Sequence, residues 1–231
     1  MSNPAVVAID GPAGAGKSTI SRRVAERLGF LYIDTGAMYR CVALAASRAG
    51  VPLEDEAKIT ALAESVRIQF SARCQEVFLD GEDVTQAIRE PRVSDAASRV
   101  SKIPGVRQAM VEEQRRIARG EPVVMEGRDI GTVVFPDAPV KIFLTAEPME
   151  RARRRASELE AKGVSADIGE IARQIEERDY RDANRSDSPM VQAVDAVRLD
   201  TSNLSLDEVE EAILDIAATR LKLSKMKECS S

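Results

Sequence analysis

The sequence contains no histidine. That excludes Ser-His-Asp and Cys-His catalysis, histidine-ligated metal sites and an imidazole pH switch. Cysteine is scarce: Cys41, Cys74 and Cys229 lie far apart, with no C-x-x-C pair to hold zinc or form a redox couple. An odd, sparse set suits a reducing interior rather than a disulfide framework. No apolar run approaches the ~20 residues that span a bilayer, and Met1-Ser2-Asn3-Pro4 does not open a signal peptide. Nor is positive charge in surplus: 33 Lys and Arg against 38 Asp and Glu leave a formal charge of −5. That balance argues against bulk attraction to nucleic acid or an anionic membrane. The expectation is a cytoplasmic protein with neither as a partner.

What is present is enough for a sizeable core: 231 residues, 44% of them hydrophobic, which by length is between one and two domains. Ala5-Val6-Val7-Ala8-Ile9 reads as a buried strand, followed by a glycine-rich turn and then Ile20, Val24 and Leu28 at helical spacing, with Gly29 at the C-cap position. Further apolar runs at 30–33, 140–144 and 196–199 lead into helical stretches, and one at 123–125 precedes the loop Glu126-Gly127-Arg128-Asp129. Alternating strands and helices imply an α/β fold, a parallel sheet wrapped by helices. Residues 66–86 differ: Ile68, Phe70, Val77 and Leu79 alternate at period two, and Asp80-Gly81 is a hairpin turn signal. This predicts a small antiparallel insertion. The tail from Ser224 is expected to fray.

Gly11-Pro12-Ala13-Gly14-Ala15-Gly16-Lys17-Ser18 fits G-x-x-x-x-G-K-[ST]. Backbone N–H groups must come close to phosphate oxygens, and side chains would block that approach, so the pattern needs glycines. The helix that follows aims its positive end at the same anion. Lys17 would reach the transferred phosphate and the Ser18 hydroxyl would help hold Mg²⁺. The ATP-binding stretch is therefore read as Gly11, Pro12, Ala13, Gly14, Ala15, Gly16, Lys17, Ser18 and Thr19. No N-K-x-D segment accompanies it to read guanine. Glu126 after Val123-Val124-Met125 is a near match to the acidic residue that closes a Walker B strand.

Downstream, Asp34-Thr35-Gly36-Ala37-Met38-Tyr39-Arg40 offers a hydroxyl, helix-opening amides and a fork-shaped cation to a second anion. It looks like the T-G-x-x-x-R with which nucleoside monophosphate kinases grip the acceptor phosphate. Glu126-Gly127-Arg128-Asp129-Ile130-Gly131-Thr132-Val133-Val134-Phe135-Pro136, followed by Ala138-Pro139-Val140-Lys141-Ile142-Phe143-Leu144, closely resembles the bacterial cytidylate kinase family. With the P-loop and the segment Arg178–Arg185, the resemblance covers nearly the whole chain. Two arginine clusters remain. Arg151-Ala152-Arg153-Arg154-Arg155 is self-repelling unless anions or Glu158 and Glu160 neutralise it. Arg178, Asp182 and Arg185 stand at i, i+4 and i+7, on one helical face. Residues 151–185 carry nine positive and eight negative charges, +1, so the remainder carries −6.

The resemblance implies transfer of the ATP γ-phosphoryl group to CMP or dCMP, with Mg²⁺, in pyrimidine metabolism. It assigns Lys17, Arg128 and the lid arginines Arg151, Arg154 and Arg155 to catalysis, Thr35 and Arg40 to the acceptor phosphate, Arg178 and Asp182 to the ribose, and Arg185 to the substrate. Ser98, Arg107 and Asp129 match the positions that read cytosine: its exocyclic amine donates to Asp129, while O2 and N3 accept from Arg107 and Ser98. Uracil would set acceptor against acceptor there. Ser18 stands where some relatives carry Gly, and Thr35 where others have Ser. The implied organisation is one domain: a core of approximately 1–35, 97–150 and 190–223, an acceptor-binding insertion at 36–96, and a lid with substrate helices at 151–189. A monomer is the default. A kinase for UMP, AMP or shikimate, and a nucleotide-dependent switch that binds nucleic acid through its arginine clusters, are the competing readings.

Overall fold

The apolar runs become a parallel sheet, and the glycine turns become the loops along its carboxyl edge. The computed structural model describes residues 5–71, 76–161, 163–185 and 187–222; Cys74, Cys229 and the tail from Ser224 lie outside these. In chain order the first elements are β1 (Val6–Asp10), α1 (Lys17–Leu28), β2 (Leu31–Asp34), α2 (Thr35–Arg48), α3 (Glu56–Ser65), β3 (Ile68–Phe70), β4 (Val77–Leu79) and β5 (Glu82–Asp83). There follow α4 (Pro91–Val100), α5 (Pro104–Ala118), β6 (Val123–Gly127), β7 (Val140–Thr145), α6 (Pro148–Glu160), α7 (Ile168–Asn184), β8 (Val197–Asp200) and α8 (Leu206–Leu221). The main sheet runs β2-β6-β1-β7-β8, every pairing parallel. The chain leaves β1 toward β2 on one side and later crosses to β7 on the other, so the switch point falls at β1, where open α/β sheets bind ligands.

Alternation along β1 divides the core. Val7 and Ile9 join Val24 of α1 and Ile213 of α8 on one face. Val6 and Ala8 join α2 residues such as Met38 and Val42 on the other. Both faces are covered, which is why the strand reads as an unbroken apolar run. Gly29 ends α1 in the left-handed region (φ 66°), its N–H returning to the last turn. Proline opens α4, α5 and α6, where its missing N–H has no helical partner to lose. A Ser205–Glu208 capping box opens α8.

The antiparallel insertion is a three-stranded sheet, β3-β4-β5. Asp80 and Gly81, both at positive φ (52° and 88°), turn β4 into β5 rather than joining the Ile68–Phe70 and Val77–Leu79 runs, which pair across residues 71–76. Its Ile68 and Leu79 belong to the same apolar cluster as Val123 and Met125 of β6. The helix that carries Arg178 and Asp182 stops at Asn184, and Arg185 is its C-cap (φ −68°, ψ 143°). Its φ is still helical, so its side chain leaves from the side of Arg178 and Asp182, and the extended ψ turns away only the chain that follows. Among the described residues no helix is long and apolar enough to cross a membrane.

Candidate active site

Three strand ends supply the site. From β1 the chain enters the glycine loop at Gly11, whose φ of 148° and whose position, with any added Cβ only 2.0 Å from the Leu144 carbonyl oxygen, admit no side chain. The loop delivers Lys17 as the first residue of α1. Its buried ammonium donates to the Pro12 carbonyl at 2.7 Å. Burial, with the neighbouring Arg128, holds it below the ordinary lysine range. Ser18 Oγ donates to Glu126 Oε2 at 3.0 Å, and the Tyr32 hydroxyl donates to the other oxygen of the same carboxyl. Burial and the charge of Asp34 push Glu126 upward. Asp10, the last residue of β1, accepts from Ile130 N at 2.9 Å and Gly131 N at 2.8 Å, tying the donor strand to the loop after β6. Burial outweighs these bonds and raises its carboxyl to about 6.

From β2 the chain enters α2 through Asp34, which caps Ala37 N at 3.0 Å and accepts from Arg40 at 2.7 Å. Thr35 Oγ1 donates to the Glu126 carbonyl at 2.7 Å, so its hydroxyl fastens β2 to β6 in this conformation. From β6 come Arg128 and Asp129. Arg128 Nε lies 2.9 Å from Asp182 of α7. Asp129 meets Arg107 of α5, a guanidinium 3% exposed and 5.9 Å above the Tyr39 ring. Arg185 Nη2 approaches the same carboxyl at 3.5 Å, and Asp187 lies 3.5 Å from Arg107. Burial raises Asp129 from its ordinary value against the pull of Arg107 and Arg185; burial also lowers Arg185 and pushes the Tyr39 hydroxyl up to about 12. Ser98 is half-buried on α4; its carbonyl accepts from Ser101, and its hydroxyl makes no hydrogen bond among the described residues.

The charged helices complete the cleft. Arg154 Nη1 and Nη2 donate to Thr201 Oγ1 and O at 2.9 and 2.7 Å. It borders a cavity of about 360 Å³ beside the loop, together with Gly14, Thr19, Ile20, Leu144 and Val209. Arg155 points outward to Glu158 at 2.8 Å. Arg151 is buried, with its guanidinium on Ala13 O, Ala146 O and Asp179. Arg178 is exposed on α7 yet hemmed in by other groups. That partial desolvation, and the nearby charges of Arg128 and Arg40, lower it.

Sequence reasoning thus names residues that fall in two groups. Lys17, Arg40, Arg128 and Arg178 are electrostatic neighbours, and Arg107, Asp129 and Arg185 form a second, adjoining cluster. Arg155 faces away, and Ser98 touches neither through a hydrogen bond. Asp10, Tyr32, Asp34 and Asp179 went unnamed as site residues. A signal for Asp10 was available: a carboxylate closing a strand that is otherwise wholly apolar.

A glycine loop between a central parallel strand and a helix, with a buried lysine and a serine at the helix start, defines the P-loop nucleotide-binding class, here in its kinase form. More particularly, the chain belongs to the cytidylate kinase family, whose model matches residues 7–219. It is 57% identical over 218 residues to a cytidylate kinase of Solibacter usitatus, covering 94% of this chain and 93% of that one. To a cytidylate kinase of Pelotomaculum thermopropionicum it is 53% identical over 211 residues, covering 90% and 93%. A solved structure of an uncharacterized protein from Eubacterium ventriosum has a TM-score of 0.51 at 13% identity, covering 94% of this chain and 99% of that one, a likeness of fold alone.

Proposed function

We propose that the chain catalyses transfer of the γ-phosphoryl group of ATP to CMP or dCMP, giving the nucleoside diphosphate and ADP. Family membership supports the reaction. The observation that carries the site assignment is the set of arginines converging from different elements beside the phosphate loop. Arg40 comes from α2, Arg107 from α5, Arg128 from the end of β6, and Arg178 and Arg185 from α7 and its exit. Arg40 Nε is a buried guanidinium nitrogen with no hydrogen-bond partner, and Arg107 Nε and Arg185 Nη2 have no hydrogen bond, only a carboxylate oxygen 3.5 Å away. An orphan such as Arg40 Nε costs about 1–3 kcal/mol, and the oxygens of an anionic ligand would relieve it and give the other two closer partners.

In this reading the loop amides and Lys17 hold the donor phosphates, and Lys17 leaves the Pro12 carbonyl to do so. The anion offsets the desolvation that now depresses the ammonium. Arg40 and Arg128 exchange Asp34 and Asp182 for the acceptor phosphate, and Arg178 with the freed Asp182 takes the ribose. Asp129, fixed by Arg107, accepts from the cytosine amine. Arg154 and Arg155 swing over the transferring group. The acceptor is a phosphate oxygen already largely ionised at neutral pH. Phosphoryl transfer then needs placement and charge neutralisation rather than a general base, which agrees with a chain that lacks histidine.

The Ser18 hydroxyl and Glu126 carboxylate, 3.0 Å apart beside the loop, are hard oxygen donors of the kind Mg²⁺ accepts, and a site of few protein oxygens suits an ion that keeps water and phosphate ligands. Among the described residues no cluster of three or more acidic, cysteine or histidine side chains competes with them. Bound there, Mg²⁺ would supply positive charge to offset that of the donor phosphates. Tyr32 and Ser18 orient the Glu126 carboxyl for it. The proposed organisation follows: a core of approximately 1–35, 97–150 and 190–223 carrying the donor site, the insertion at 36–96 gripping the acceptor, and residues 151–189 closing over both. The test is diphosphate formation from Mg-ATP with CMP, dCMP, UMP, AMP and shikimate. Rapid turnover confined to the cytosine nucleotides is expected; ATP hydrolysis indifferent to every acceptor would sink the reading.

A further inference from the structure

The glycine loop has an outside support. Ala13 lies between Gly11 and Gly14, two of the loop's positive-φ glycines, and both of its backbone polar groups are held by side chains from distant helices. Its N–H donates to Asp179 Oδ1 of α7 at 2.9 Å, and its carbonyl accepts from Arg151 Nη1 of α6 at 2.9 Å. Arg151 and Asp179 pair with each other, and Arg151 Nε donates to Ala146 O at 3.1 Å. Both side chains are largely buried, 8% and 15% exposed. Apolar contact reinforces the grip: the Ala13 methyl packs with Ala152, Ala156, Ile171 and Ile175. A Cβ on Gly14 (φ 74°) would lie 3.1 Å from Arg151 Cβ and from its carbonyl oxygen. The next carbonyl back, that of Pro12, is the acceptor for Lys17.

Glycines make this loop able to cradle phosphate, and for the same reason they leave it with unusual conformational freedom to lose, about 1–2 kcal/mol for each residue fixed. A charged pair that pins one residue in the middle of the loop removes part of that freedom before any ligand arrives. We infer that Arg151 and Asp179 are positioning residues, which hold the donor-phosphate loop in its binding geometry through Ala13 instead of touching the transferring phosphate. This rests on the reading of the loop as the ATP site. It gives Arg151 a task different from that of Arg154 and Arg155, and it gives Asp179 a task where the family resemblance named none.

The experiment compares the full-length wild type with Arg151→Met, Asp179→Ala, Asp179→Asn and the double variant Arg151→Met/Asp179→Ala. Readouts are kcat, the KM of Mg-ATP and of CMP separately, and calorimetric binding of Mg-ATP without acceptor. Both single truncations are expected to weaken Mg-ATP, in Kd and KM alike, about tenfold, the loss typical of one charged hydrogen bond, while the KM for CMP stays within about twofold. Asp179→Asn keeps an oxygen for the Ala13 N–H and is expected to recover part of the loss. The double variant should lose less than the product of the single losses, as one pair acting together does. Unchanged Mg-ATP binding with a lowered kcat would overturn the inference and place Arg151 on the transferring phosphate; equal weakening of both substrates would overturn it as a general loss of structure. Should Arg151→Met fail to fold, the Asp179→Asn comparison decides. A wild type that does not phosphorylate CMP defeats the functional reading, while its Mg-ATP titrations against the variants still judge the clamp.

Discussion

The proposed donor and acceptor sides of the cleft are built on opposite plans. On the donor side, Gly11 to Ser18 are contiguous, their polar groups are mostly backbone, and the loop is pinned in place through Ala13. On the acceptor side, Arg40, Arg107, Arg128 and Arg185 come from separate elements, and each faces an internal carboxylate: Asp34, Asp129, Asp182 and Asp129 again. The difference is one of charge. Backbone amides are weak dipoles that can point at an empty cradle without penalty from one another, whereas clustered guanidinium groups repel and lose hydration unless carboxylates balance them. On the proposed assignment, an acceptor phosphate competes with Asp34 and Asp182 for its own ligands, and a donor phosphate competes with one carbonyl.

The comparison can be broken at either end. Lys17→Met is expected to have the largest effect, lowering kcat by about three orders of magnitude, the scale for removing a preorganised charge at a developing anion. CMP binding, measured by titration, should survive. Loss of both would mean that the two sides are not separable. Asp129→Ala attacks the acceptor side. It is expected to lower kcat/KM for CMP about a hundredfold and to narrow the preference over UMP. It should also destabilise the fold by about 3 kcal/mol, because buried Arg107 is left with only the looser Asp187 contact at 3.5 Å. The Kd of Mg-ATP is the control, and a matching rise in it would contradict the assignment.

Asp10 joins the two sides, and its test is thermodynamic. Its carboxyl titrates near 6 in the native state, against 3.8 as the ordinary value, so the native protein binds the extra proton between those limits. Stability from this group is complete below about pH 4 and falls as pH rises through 6. Denaturant titrations of wild type and Asp10→Asn should show the wild type losing on the order of 3 kcal/mol relative to the variant between pH 4 and 7. A pH-independent difference would refute the buried-carboxylate account. The smallest effect is expected of Arg40→Lys, which keeps the charge but not the fork: the KM for CMP rises about tenfold with kcat for saturated enzyme little changed. Steady-state kinetics with varied CMP checks it.

Much of this was readable in advance, and for identifiable reasons. The phosphate loop is a property of eight consecutive residues, whose glycines and flanking apolar and helical patterns act over a few ångströms of chain. The order of strands and helices follows from periodicity in the same way. Thr35, Arg40, Arg128 and Asp129 were likewise visible as short motifs. The end of the helix at Asn184 was not: the i, i+4, i+7 spacing of Arg178, Asp182 and Arg185 runs up to the C-cap and carries no stop signal of its own.

By itself, then, the sequence determined the parallel α/β architecture, the position of the phosphate loop and the family, because these rest on local backbone preferences and on contiguous motifs. Tertiary structure alone decided which charge faces which. Asp179 meets Ala13 across 166 positions, Asp10 meets Gly131 across 121, and Arg107 meets Asp129 across 22. Electrostatic energy depends on distance in space and on burial, and neither is written in the spacing of residues along the chain.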